Sequence, residues 1–143
     1  MLLFAYGSNL ALDTGLIGPA VLHDHRLELN RRSIRWGGGV VDVVPGPGEH
    51  VWGALYEVDE AMMDALDRKE GVGIAYRRLE VEVELDGTRR GAITYEVIDK
   101  EPDAPPATPD YAALVLGGAR ERGLPGDWLA VLDSVLRGTV PAR

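Results

Sequence analysis

Arg77-Arg78-Leu79-Glu80-Val81-Glu82-Val83-Glu84-Leu85-Asp86-Gly87-Thr88-Arg89-Arg90-Gly91-Ala92-Ile93-Thr94-Tyr95-Glu96-Val97-Ile98 reads as two alternating segments joined by a two-residue turn. Arg77–Leu85 and Thr88–Ile98 carry the period of two expected of strands. Asp86-Gly87 between them is the strongest short-range hairpin signal in the chain. Upstream, residues 1–5 form a short apolar strand that stops at the polar turn Gly7-Ser8-Asn9. His23–Asn30 alternates, with Leu27 and Leu29 opposite Arg26 and Glu28. Gly37-Gly38-Gly39 leads into the β-branched run Val40–Val44. Pro45-Gly46-Pro47-Gly48 reads as a hairpin-like loop before a further strand at Val51–Val58.

Helices are few and punctuated. Asp59 is a good N-cap for a helix to about Lys69, closed by Gly71 and Gly73. Thr108-Pro109 opens a second helix reaching Arg122, and Pro125–Leu136 supplies a third with Trp128, Val131, Leu132 and Val135 on one stripe. Glu101–Ala107 is a proline-rich loop. Strands dominate and are not separated regularly by helices, which argues against a parallel doubly wound sheet. The expected class is α+β, a mixed, mostly antiparallel, barrel-like sheet with flanking helices, over residues 1–143 as one domain.

The composition narrows the function classes. The chain has 143 residues, 45% hydrophobic and 27% charged, with a formal net charge of -8. That balance disfavours nucleic acid, whose phosphates need an excess of Lys and Arg. It leaves room for a small anionic ligand held by backbone N–H groups. No cysteine is present, which removes disulfides, thiolate metal sites and a cysteine nucleophile together. No apolar run approaches the length of a membrane span, and Met1–Ala5 lacks the features of a signal peptide. A cytoplasmic location is the expectation.

Three features carry chemistry. Tyr6-Gly7-Ser8-Asn9-Leu10 lies where a strand ends, and Gly7 permits close backbone approach in a turn whose N–H groups can form an anion nest. Read alone it is first of all a plain turn, since Gly, Ser and Asn are what turns are made of. Glu70 sits at the C-terminal end of a helix, where the macrodipole opposes its charge and raises its proton affinity, as burial would. Its plain alternative is a solvated carboxylate paired with Arg68 or Lys69. Tyr76, Tyr95 and Tyr111 open or follow regular elements, suited either to a pocket or to an amphipathic boundary. His23 and His25 share a strand face as an i, i+2 pair, but no cysteine and a single further histidine make a poor metal set. Gly37–Gly39 lacks the lysine and helix of a phosphate loop and reads as tight backbone packing.

Taken in order, these blocks resemble the gamma-glutamylcyclotransferase family. The residues that carry the resemblance begin with Phe4-Ala5-Tyr6-Gly7-Ser8-Asn9-Leu10 and Trp36-Gly37-Gly38. They continue through Val51-Trp52-Gly53, Leu66-Asp67 and Glu70-Gly71-Val72 with Tyr76, then Ala104-Pro105-Pro106, Pro109, Tyr111, Gly118-Ala119 and Gly123-Leu124-Pro125. The segment between Glu70 and Tyr76 looks slightly shorter than in the animal enzymes. The resemblance implies a mixed barrel with a cavity at one end and release of 5-oxoproline from a γ-glutamyl peptide or amino acid. It implies that Tyr6, Gly7, Ser8, Asn9 and Leu10 hold the α-amino and α-carboxylate groups, that Glu70 is the general acid/base, and that Tyr76, Tyr95 and Tyr111 line the pocket. No metal or cofactor is called for, and a homodimer is suggested, though no exposed stripe demands one. The substrate's own α-amine is the nucleophile, which agrees with a chain lacking both cysteine and a serine triad. The alternatives are the same chemistry on a γ-glutamylamine or a γ-glutamyl-protected biosynthetic intermediate, or a non-catalytic binding module of the same fold.

Overall fold

In the computed structural model, which describes residues 1–139, five strands close a barrel. They are β1 (Leu2–Ala5), β2 (Leu16–Arg32), β3 (Gly39–Glu57), β4 (Tyr76–Leu85) and β5 (Thr88–Val97), in the spatial order β1-β3-β2-β4-β5. Neighbours are antiparallel except β1 and β5, which close the ring in parallel with Leu3 opposite Ile93. Three helices flank the barrel: α1 (Glu60–Glu70), α2 (Pro109–Glu121) and α3 (Gly126–Arg137). The mixed, mostly antiparallel α+β barrel expected from the strand order is the observed architecture.

The β4–β5 hairpin pairs Leu85 with Thr88, and its turn residues Asp86 and Gly87 have φ of 50° and 77°. Positive φ at both positions matches the twist of the flanking strands, which is why Asp-Gly marks such turns. The β2–β3 pair differs from the sequence reading. Val40–Val44 and Val51–Val58 are not two strands folded about a Pro-Gly turn. They belong to one strand that runs antiparallel along β2, with Val44 opposite Arg26 and His50 opposite His23. The Pro-Gly residues form a bulge, and the Gly48 N–H donates to Asp24 Oδ1 at 2.9 Å. A bulge and a turn share the same local residues; only the common partner strand tells them apart. The true reversal lies at Ser33–Gly38, where the Ser33 N–H donates to the Gly38 carbonyl at 2.9 Å.

Asp24 adopts φ 58°, which breaks the two-residue repeat on which a shared face for His23 and His25 depends. His25 Nδ1 pairs with the His23 carbonyl and His23 Nε2 with Glu84. Among the described residues no group of three or more His, Cys, Asp or Glu is placed to hold a metal ion.

One apolar core joins barrel and helices. Leu3, Leu22, Val43 and Leu55 come from strands, Met63 and Leu66 from α1, Val115 and Ala119 from α2, and Trp128 and Leu132 from α3. Ala54, Leu55 and Tyr56 are consecutive and all buried, because β3 is covered on both faces. Asp59 caps α1 by accepting from the Met62 N–H at 2.8 Å, and Gly71 closes it in the left-handed conformation. Thr108 occupies the position before α2, but its hydroxyl donates to the Trp36 carbonyl at 3.1 Å instead of capping the helix. That bond ties the β2–β3 turn to α2. No helix among the described residues is long and apolar enough to cross a membrane.

Candidate active site

The end of β1, the end of α1 and the start of β4 meet at one end of the barrel. After β1, residues Ser8–Ala11 form a single 3-10 turn, closed by the Leu10 N–H donating to the Gly7 carbonyl at 3.0 Å. Among the described residues the N–H groups of Ser8 and Asn9 donate to no acceptor in the chain. A Cβ at Gly7 would lie 2.9 Å from Val41 Cγ2 and 3.4 Å from the Tyr111 hydroxyl, so the position has no room for a side chain.

Glu70, the last residue of α1, faces this turn. Its Oε1 accepts from Asn9 Nδ2 at 3.3 Å, and Asn9 Oδ1 accepts from Lys69 Nζ at 2.8 Å. Asn9 therefore bridges the turn and the helix end through both ends of its amide. Desolvation raises the Glu70 pKa above its ordinary value, opposed in part by Lys69, the Asn9 bond, Arg35 and Arg31. The expected direction holds, with burial as its main cause. The Lys69 ammonium is drawn down, first by desolvation, and Glu70 partly restores it.

Two connected spaces open around Glu70. A small inner pocket of about 30 Å³ is lined by Tyr6, Gly7, Ser8, Asn9, Tyr95 and Thr94, among others. An outer bowl of about 430 Å³ is lined by Arg31, Arg35, Trp36, Arg68, Lys69 and Gly71, among others. Ser8, Glu70, Tyr76 and Tyr111 border both. The tyrosines differ in what their hydroxyls do. Tyr6 donates to the Tyr95 carbonyl at 2.7 Å, and Tyr95 donates to Asp67 Oδ1 at 2.7 Å. The Tyr111 hydroxyl accepts from the Val41 N–H at 3.1 Å, and its ring packs edge-on to Trp36. Tyr76 lies beneath the Arg31 guanidinium, 5.7 Å from its ring centroid. All four phenols are pushed up, foremost by burial, and stay protonated at neutral pH. They can donate hydrogen bonds and cannot serve as bases.

Of the residues expected to hold substrate, Leu10 borders neither space. It is fully buried, and its carbonyl accepts from the Tyr56 hydroxyl at 3.1 Å. The other seven, and Glu70, all face the cavities. The sequence reading missed the cationic wall of Arg31 and Arg35 and the clamp behind Tyr95, where Arg78 grips both oxygens of Asp67 at 3.0 and 2.6 Å. The run Arg31-Arg32-Ser33-Ile34-Arg35-Trp36, locally basic in an acidic chain, was the available signal for the wall.

The site is thus a small closed barrel with a desolvated carboxylate between two cavities that share lining residues, ringed by protonated phenols. Residues 50–132 match the model of the AIG2-like family. The mouse gamma-glutamylcyclotransferase (Mus musculus) is 32% identical, covering 94% of this chain and 78% of its own. A bovine gamma-glutamylaminecyclotransferase (Bos taurus) is 44% identical over 32% of this chain and 27% of its own. A solved structure of a gamma-glutamyl cyclotransferase superposes with a TM-score of 0.85 at 28% identity, covering 94% of this chain and 86% of the other. The chain belongs to the AIG2-like family of cyclotransferases, alongside the gamma-glutamylcyclotransferases, and is an enzyme of that kind.

Proposed function

We propose that the protein releases 5-oxoproline from a γ-glutamyl peptide or amino acid by internal aminolysis. The observation that carries this reading is Glu70. Its carboxylate has raised proton affinity, is bonded to Asn9 of the turn, and stands where the inner pocket meets the bowl. The α-amino and α-carboxylate ends of the glutamyl group enter the inner pocket, where the free N–H groups of Ser8 and Asn9 donate to the carboxylate. The leaving portion lies in the bowl.

Glu70 takes a proton from the α-ammonium. The freed amine nitrogen attacks the γ-carbonyl carbon, forming the ring N–C bond. As the tetrahedral centre collapses, the bond to the leaving nitrogen breaks as Glu70 returns the proton to that nitrogen. The second proton of the ring nitrogen then passes through the same carboxylate to the departed amine, which leaves as an ammonium. The carboxylate ends as it began, and no enzyme nucleophile is consumed. Ser8 is not activated, since no histidine borders either cavity. Acid/base catalysis of this kind contributes about 10²–10⁴-fold, and holding amine and carbonyl together contributes about 7–11 kcal/mol in favourable cases. The reading includes a cytoplasmic, single-domain enzyme acting as a homodimer, without metal or cofactor.

Glu70→Gln is expected to fold, bind a γ-glutamyl dipeptide and lose at least about 10²-fold in 5-oxoproline release measured by mass spectrometry. Turnover within a few-fold of the parent chain would remove Glu70 from the mechanism.

A further inference from the structure

The wall of the bowl carries a charge that the fold itself does not use. The chain has 15 Lys and Arg against 23 Asp and Glu, yet this cavity is bordered by Arg31, Arg35, Arg68 and Lys69 and by a single carboxylate, Glu70. Elsewhere several arginines are paired, Arg26 with Glu28 and Glu49, Arg77 with Glu96 and Arg78 with Asp67, while Arg32, Arg90 and Arg120 form no ion pair among the described residues but border no such cavity. Arg31, Arg35 and Arg68 form no ion pair among the described residues. Two of them rest on cavity aromatics, Arg31 over Tyr76 at 5.7 Å and Arg35 over Trp36 at 5.4 Å. A guanidinium stacked on a ring keeps its in-plane N–H donors free and oriented for a carboxylate. Like charges gathered around one cavity repel, and an anionic ligand relieves that repulsion.

We propose that the bowl selects an acidic leaving group, so that the preferred substrates are γ-glutamyl conjugates of acidic amino acids, such as γ-glutamylglutamate and γ-glutamylaspartate. The inference rests on the cyclotransferase reading above and adds the substrate class. Charge balance decides between the candidates. The glutamyl head brings one ammonium and one carboxylate, which cancel, so the net positive wall must be matched by what leaves. An amine without a carboxylate matches none of it, a neutral amino acid supplies one carboxylate, and an acidic amino acid supplies two. Arg35 and Arg68 are both exposed at the border of the bowl.

The test compares 5-oxoproline release from γ-glutamylglutamate, γ-glutamylglutamine, γ-glutamylalanine and γ-glutamylethylamide with the full chain. Glutamate and glutamine leaving groups are nearly isosteric and differ by one charge. The expected kcat/KM is about tenfold higher for the glutamate conjugate, as one charge-assisted hydrogen bond provides. It is lowest for the ethylamide, and raising salt compresses the ratio. Arg35→Gln and Arg68→Gln are expected to shrink the glutamate-to-glutamine ratio through KM. Product from every substrate with equal glutamate and glutamine constants, or with the ethylamide fastest, overturns the charge selection and leaves cyclotransfer standing. No 5-oxoproline from any member of the panel overturns both readings.

Discussion

Glu70 carries opposing demands on one carboxyl group. Desolvation raises its proton affinity, while Lys69, Asn9, Arg35 and Arg31 favour the ion. The balance leaves a base stronger than an exposed glutamate, and that has a cost in stability. Because the folded pKa lies above the unfolded one, the native state binds the proton more tightly. The unfavourable contribution is absent below the unfolded pKa and grows as pH rises through the folded pKa. Glu70→Gln is therefore expected to melt at a higher temperature than the parent chain at pH 7 and at the same temperature near pH 3, read by circular dichroism. A variant that melts lower at pH 7 would mean that the contacts to Asn9 and Lys69 outweigh desolvation.

At the scale of elements, the site is a junction of the turn after β1 with the end of α1. Gly7 sets how closely the turn lies on β3, since a side chain there would meet Val41 and Tyr111. Gly7→Val is expected to cost about 1–3 kcal/mol of stability through overpacking and to abolish measurable substrate saturation. Adding Val41→Ala removes the clash and restores the melting temperature without restoring KM, because the new side chain still stands between ligand and backbone. If Gly7→Val leaves KM unchanged, the turn is not the clamp for the glutamyl group. The same junction shows why Leu10, expected to hold substrate with its neighbours, borders neither cavity. In a 3-10 turn successive side chains diverge around the axis, so Ser8 and Asn9 face the cavities while Leu10 is buried.

Across the whole molecule the barrel holds a buried carboxylate, Asp42, whose charge helps to push up the phenols of Tyr6 and Tyr76. Asp42 is fully buried; it accepts from Asn30 Nδ2 and the Val97 N–H, both at 3.0 Å, and from Lys100 Nζ at 2.8 Å. These bonds link β2, β3, β5 and the chain just beyond β5. Lys100→Met leaves the carboxylate with neutral donors alone and is expected to cost about 2 kcal/mol in urea unfolding. Asp42→Asn in the same chain should recover part of it. Arg89 and Glu82 form an exposed ion pair at 2.8 Å on the β4–β5 hairpin; a loss no larger than that from breaking this pair would show that the Asp42 site is not dry.

The sequence by itself determined whatever depends on near neighbours. Asp86-Gly87 demanded a hairpin because both turn residues needed positive φ. Asp59 and Gly71 bounded α1, and Glu70 was thereby placed at a helix end with its proton affinity raised. The lack of cysteine excluded one kind of nucleophile. Only the tertiary structure decided what depends on residues far apart in the chain. Asn9 and Glu70 are 61 positions apart and meet because β1 and α1 end on the same rim of the barrel. Pro45–Gly48 became a bulge because both flanks pair with β2, a fact no local pattern carries. Arg31 and Arg35 joined Arg68 and Lys69 around one cavity because the β2–β3 turn folds over the end of α1. Propensity and capping act over a few bonds, whereas burial and charge act through space, and the desolvated setting of Glu70 belongs to the second kind.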